Sequence, residues 1–167
     1  PQHGAAVPLR RGRSSLRLIL LASGRPIRGM LAGMNTALLV AGSVFVSIAA
    51  LIHVYIFVLE SLRWSRPATW KTFGLKSQAD ADVVKPMAFN QGFYNLFLAL
   101  GVVAGLGLIA TSHTAAGLAI ALFAAGSMVA AALVLIISSP KLARAAAIQG
   151  IAPLVGVVLL GLTLLVG

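Results

Sequence analysis

The sequence has no cysteine and almost no acid: Glu60, Asp80 and Asp82 are the only carboxylate side chains in 167 residues. Without cysteine there can be no disulfide, thiolate metal site or cysteine nucleophile, although compartment is left open. The scarcity of acid leaves no paired-carboxylate motif for acid–base work. A phosphate-cradling glycine loop and a serine triad are missing as well. Charge of any sign is sparse, at 10% of residues against 59% hydrophobic. A water-soluble domain carries about a quarter charged residues. A chain with a mean hydropathy of +0.99 cannot hide its apolar surface by folding alone, so lipid is the expected solvent. The net charge of +10 raises nucleic acid as a partner. The basic residues flank apolar runs and form no aromatic-interleaved face, so they read as membrane-interface charges instead.

What is present is four apolar runs, 37–59, 87–110, 115–137 and 145–166, each near the roughly 20 residues that cross hydrocarbon as a helix. The second and third connections are short and force antiparallel neighbours. The expected fold is therefore all-α, a polytopic membrane protein with four transmembrane helices in an up-down bundle. The first connection, 61–85, is longer and amphipathic. It holds Arg63, Trp64, Arg66 and Trp70, which read as interface anchors, and Ser77-x-x-Asp80, which reads as a capping box. Pro86 is expected to start or kink the second span.

Lys and Arg give an orientation. Connection 61–85 carries Arg63, Arg66, Lys71, Lys76 and Lys85, and connection 138–144 carries Lys141 and Arg144, while the opposite side beyond residue 33 has none. The basic side is expected to be cytoplasmic, which puts the C-terminus outside. Residues 1–33 oppose this, because Arg10, Arg11, Arg13, Arg17, Arg25 and Arg28 fall on the side that should be poor in such charge. An over-extended start, with the transmembrane domain occupying 34–167, resolves the conflict. A disordered basic tail and a targeting-like segment are the other readings.

The polar residues of the spans fall at one depth. His53 and Glu60 are seven residues apart, about 700° of helix, so an unbroken helix puts them on one face about 20° apart. Upstream on that stripe lie Ala50, Ala49, Val46, Ser43 and Gly42, small enough to pack inward. The second span opens with Asn90, Gln91, Tyr94 and Asn95, in two i,i+4 pairs, and the fourth with Gln149, whose carbonyl loses its helical donor to Pro153. Unpaired polar groups are costly in hydrocarbon. These seven residues, His53, Glu60, Asn90, Gln91, Tyr94, Asn95 and Gln149, are expected to line a polar pocket near the cytoplasmic boundary, or else to hold the bundle together by interhelical hydrogen bonds. Gly101 and Gly105 form a G-x-x-x-G notch for helix packing. His53 and His113 lie near opposite ends of the spans, and no metal ligand set is present, so no cofactor is expected.

Together, His53, Glu60, Trp64, Phe73-Gly74-Leu75, Asn90-Gln91-Gly92-x-Tyr94-Asn95 and Gln149-Gly150 resemble a family of small bacterial membrane proteins known as domain of unknown function 1304. The resemblance covers roughly 34–167. It implies four transmembrane helices in a bacterial cytoplasmic membrane and implies no activity.

Three functional readings follow. The first is binding or transport of a small amphipathic or cationic molecule, with Glu60 as charge partner and His53 as a proton-responsive group. The second is a membrane-embedded enzyme acting on a lipid-like substrate, for which no catalytic motif of defined spacing exists. The third is an accessory subunit of a membrane complex or a homo-oligomer, consistent with the small-residue faces.

Overall fold

A computed structural model of the chain describes the backbone of residues 12–166 and the side chains of residues 27–166. The described residues are helical nearly throughout and contain no strand. Helix α1 (Gly12–Phe57) passes into a π-helical turn (Val58–Leu62), then come the short α2 (Pro67–Thr72), α3 (Gln78–Ala110), α4 (Thr114–Ser138), a 3-10 turn (Pro140–Leu142) and α5 (Ala143–Val166). Among the described residues, four segments are long and apolar enough to cross a membrane: Ile27–Leu62, Gln78–Ala110, Thr114–Ser138 and Pro140–Val166.

Each segment runs past the expected boundaries for a local reason. At 46 residues, α1 is about 69 Å long, more than twice the hydrocarbon thickness of about 30 Å. Its helix includes residues 12–33, for which the sequence offered disorder as one reading. Residues 1–11 of that stretch lie outside the described residues. Helix α3 starts at the capping box: the Ser77 hydroxyl accepts the Asp80 N–H at 3.1 Å and donates to the Asp80 carboxylate at 2.7 Å. It then continues through Pro86 without a break.

The long helices pack as a closed ring in the order α1, α3, α4, α5, with α5 returning to α1. Small residues set the spacing. A Cβ at Gly105 would stand 2.7 Å from the backbone nitrogen of Ala121, and one at Gly117 would stand 2.5 Å from the Gly105 carbonyl oxygen. The α3–α4 crossing therefore brings backbone onto backbone, with Gly101 meeting Ala124 one turn away. Gly156 of α5 receives Val46, and Gly42 of α1 receives Leu160. The core between them is rich in alanine, with Ala49, Ala99, Ala121 and Ala125 fully buried or nearly so around Met128 and Leu160.

A second, smaller core forms under the first connection. Trp64 and Trp70 are buried there with Ala81 and Ala88, against Phe73, Leu75 and Val84. The Trp64 indole donates to the Ala81 carbonyl at 2.8 Å, and Trp70 donates to the Gln78 side chain at 3.2 Å. Both tryptophans, expected as interface anchors, are thus buried within the chain. Each indole N–H finds its acceptor on the first turns of α3, so the rings tie the connection to the bundle. Arg63 and Arg66 remain exposed.

Candidate functional site

At the end of the bundle that carries the first and third connections, all four long helices part around a cavity of about 600 Å³. This lies within the usual range of roughly 300–1,000 Å³ for small-molecule sites. From α1 and the π-turn it takes Ile52, Tyr55, Ile56, Leu59 and Glu60, and from α3 it takes Gln91, Tyr94, Asn95 and Leu98. Helix α4 contributes Ala131 to Ser138 on one face, and α5 contributes Ile148 and Gln149. Thr72 and Phe73, which follow from α2, and Leu142 of the third connection complete the mouth. The two connections meet there, with Leu142 about 3.8 Å from where a Cβ on Gly74 would stand. Gly74 holds φ +83, a conformation that glycine adopts without steric cost.

The carboxylate is aimed by the π-turn. The Arg63 N–H donates to the Val58 carbonyl at 2.9 Å, five residues back. A π-turn holds one residue more than an α-turn, so Glu60 lags the α-helical register by up to about 100°. It moves off the line of His53 and toward the line of Ile52 and Ile56, which also face the cavity. The turn is pressed onto α3 at Gly92, where an added Cβ would collide with the Ser61 hydroxyl and stand 3.1 Å from Glu60 Cβ. Ser61 donates to the Phe89 carbonyl at 2.8 Å. Phe57 meets Phe93 edge-on at 5.2 Å just below. The result is a hydrogen bond from the Asn95 amide to Glu60 Oε2 at 3.0 Å, while the same amide also donates to the Gln91 carbonyl at 3.1 Å.

The residues singled out in the sequence separate into two groups. Glu60, Gln91, Tyr94, Asn95 and Gln149 share the cavity. His53 and Asn90 do not line it. His53 is 1% exposed and sits on the buried stripe with Val46, Ala49 and Ala50, the stripe on which Val46 meets Gly156 of α5. Its Nδ1–H donates to the Ala49 carbonyl at 2.9 Å, so this nitrogen serves its own helix. The shared face expected for His53 and Glu60 is corrected by the π-turn that separates them. Asn90 is exposed and stands one turn before Tyr94, outside the lining. Glu60 takes Asn95 as its partner.

Ser61 and Gly92 position the site and were not singled out for it. Gly92 stands within the string Asn90-Gln91-Gly92-x-Tyr94-Asn95, but nothing in a linear pattern says that a π-turn rests on it. A second concavity of about 470 Å³ lies at the opposite end, along Leu39 to Leu51 of α1 and Ile109. Its Ser43 and Ser47 donate to carbonyls four residues back in their own helix. Those hydroxyls are committed to backbone, and the hollow suits a lipid chain.

A family model described as "Protein of unknown function (DUF1304)" matches residues 47–161. No curated protein matches the chain, and no solved structure does.

Proposed function

We propose, from the premise that the chain belongs to the DUF1304 family of unknown function, that it is a multi-pass membrane protein that binds a small amphipathic molecule in the cavity at the connection end of its bundle. The carrying observation is the cavity's gradient. On α1 the lining runs from Ile52 and Ile56 to Glu60, about 12 Å along the axis by helical rise. On α3 it runs from Leu98 through Asn95 and Tyr94 to Gln91, and on α4 from Ala131 to Ser138. Each helix is apolar deep in the bundle and polar at the mouth. Gln149, one turn deeper on α5 than Ala145, is the exception. Such a lining accepts a polar head at the mouth and an apolar tail below it.

The test is native mass spectrometry of the full chain in lipid nanodiscs, with octanol as the probe. Octanol should bind the parent protein and fail to bind Ala131→Trp, whose indole fills the cavity. Equal binding to both would show that the probe resides elsewhere and would refute the reading. The basic residues of the two connections at the mouth support a cytoplasmic mouth and a bacterial cytoplasmic membrane. The cysteine-free sequence makes this simple to check. Lys76→Cys should react with an impermeant thiol reagent only from the cytoplasmic side, and Ser112→Cys only from the other; the reverse pattern inverts the orientation.

A further inference from the structure

We propose that the molecule held in this cavity carries a positive charge on its head, as an aliphatic ammonium or quaternary ammonium does. This rests on the binding reading above and adds the sign of the ligand. Among the described residues, Glu60 is the one charged side chain in the lining. The basic residues of the two connections, including Lys71, Lys141 and Arg144 beside the lining residues Thr72, Leu142 and Ala145, are exposed and lie outside the lining. Asn95 engages Oε2 of Glu60, and among the described residues Oε1 takes no protein donor. An anionic head would meet the Glu60 carboxylate with no cation in the lining itself to balance it. With a neutral head the Glu60 carboxyl would have to carry a proton in place of a counter-charge, because an unpaired carboxylate is costly at membrane depth. A cation satisfies it.

The rest of the mouth agrees with this chemistry. Tyr55, Tyr94 and Phe73 present aromatic surface to the same space, and ring faces attract cations within about 6 Å. The side-chain oxygens of Gln91 and Gln149 can accept hydrogen bonds from an ammonium, while the Asn95 amide nitrogen is already spent on holding Glu60. Nearer the floor, Ile52, Ile56 and Leu98 receive the tail.

The experiment compares three probes with the same tail, octyltrimethylammonium, octanol and octanoate, by native mass spectrometry in nanodiscs of uncharged lipid. Binding is counted as the excess over Ala131→Trp. Octyltrimethylammonium should bind the parent chain about tenfold more tightly than octanol, the size expected for a desolvated cation over aromatic rings and beside a carboxylate, and octanoate least. Glu60→Gln should abolish the preference of the cavity for octyltrimethylammonium over octanol. Equal binding of cation and alcohol, or a preference for octanoate, overturns the charge assignment and leaves the binding reading intact. Binding of none of the three overturns both. The comparison among probes on the parent chain stands even if Glu60→Gln does not fold.

Discussion

The two ends of the bundle are built from the same small residues and put them to different uses. At the end away from the connections, Gly105 and Gly117 bring α3 and α4 backbone to backbone, and Gly42 and Gly156 let α1 and α5 interlock through Leu160 and Val46. Glycine there lets the α3–α4 and α1–α5 pairs approach closely. At the connection end, Gly92 performs one local task, seating the π-turn on α3, and Gly150 meets Ala132 across α4 and α5. The larger side chains around them, Tyr94, Leu98 and Leu135, stand at a cavity wall. Close packing clamps these helix pairs at one end, and at the other the helices part around the cavity.

Four substitutions break or sharpen this contrast. The largest effect is expected for Gly105→Val, which forces branched carbon into the Ala121 backbone. It should cost more than about 3 kcal/mol by the usual scale of overpacking, read as a lowered midpoint in denaturing-detergent titration. A small change would mean that the α3–α4 clamp yields. Gly92→Ala comes next, at about 1–3 kcal/mol. It should also displace the π-turn, so octyltrimethylammonium should lose its preference over octanol. Lowered stability with selectivity retained would separate the turn from the aiming of Glu60. Trp64→Phe keeps most of the ring contact with Phe73, at 5.3 Å, and loses the hydrogen bond to Ala81. About 1 kcal/mol is expected, and proteolysis of the first connection should rise with it. Asn90→Ala is expected to stay within about 0.5 kcal/mol and to leave probe binding unchanged. A large loss of binding would return Asn90 to the site.

Much of this architecture is legible in one dimension. Four apolar runs with short second and third connections define an all-α bundle of antiparallel neighbours, because backbone polar groups in hydrocarbon must be satisfied within each helix. The capping box at Ser77 is a local motif and forms as read. The candidate site was legible in part. Gln91, Tyr94 and Asn95 face one space with Gln149 because a straight helix preserves angular relations along its length. Asn90, on the same side as Tyr94 but one turn nearer the helix start, falls outside the lining.

Where the helix is not straight, periodicity fails. His53 and Glu60 share a face only if every intervening turn is α-helical, and the turn at Val58–Leu62 is not. The amphipathic connection misled in a related way. Tryptophan beside arginine at a span end has the composition of an interface anchor, yet both indoles turn inward because acceptors on α3 stand within reach. Composition reports what a side chain tolerates, and distant neighbours decide what it touches.

Solvent, helix number, bundle topology and the approximate depth of the polar residues follow from the sequence alone, because they depend on properties of segments: length, hydropathy and charge bias. Which polar residues face one another was decided only by tertiary contact. The π-turn exists where Gly92 offers α3 as a flat support, and one added residue in a turn rotates a carboxylate from a packed stripe into a cavity. That rotation is a matter of how two helices meet, and no pattern along either one encodes it.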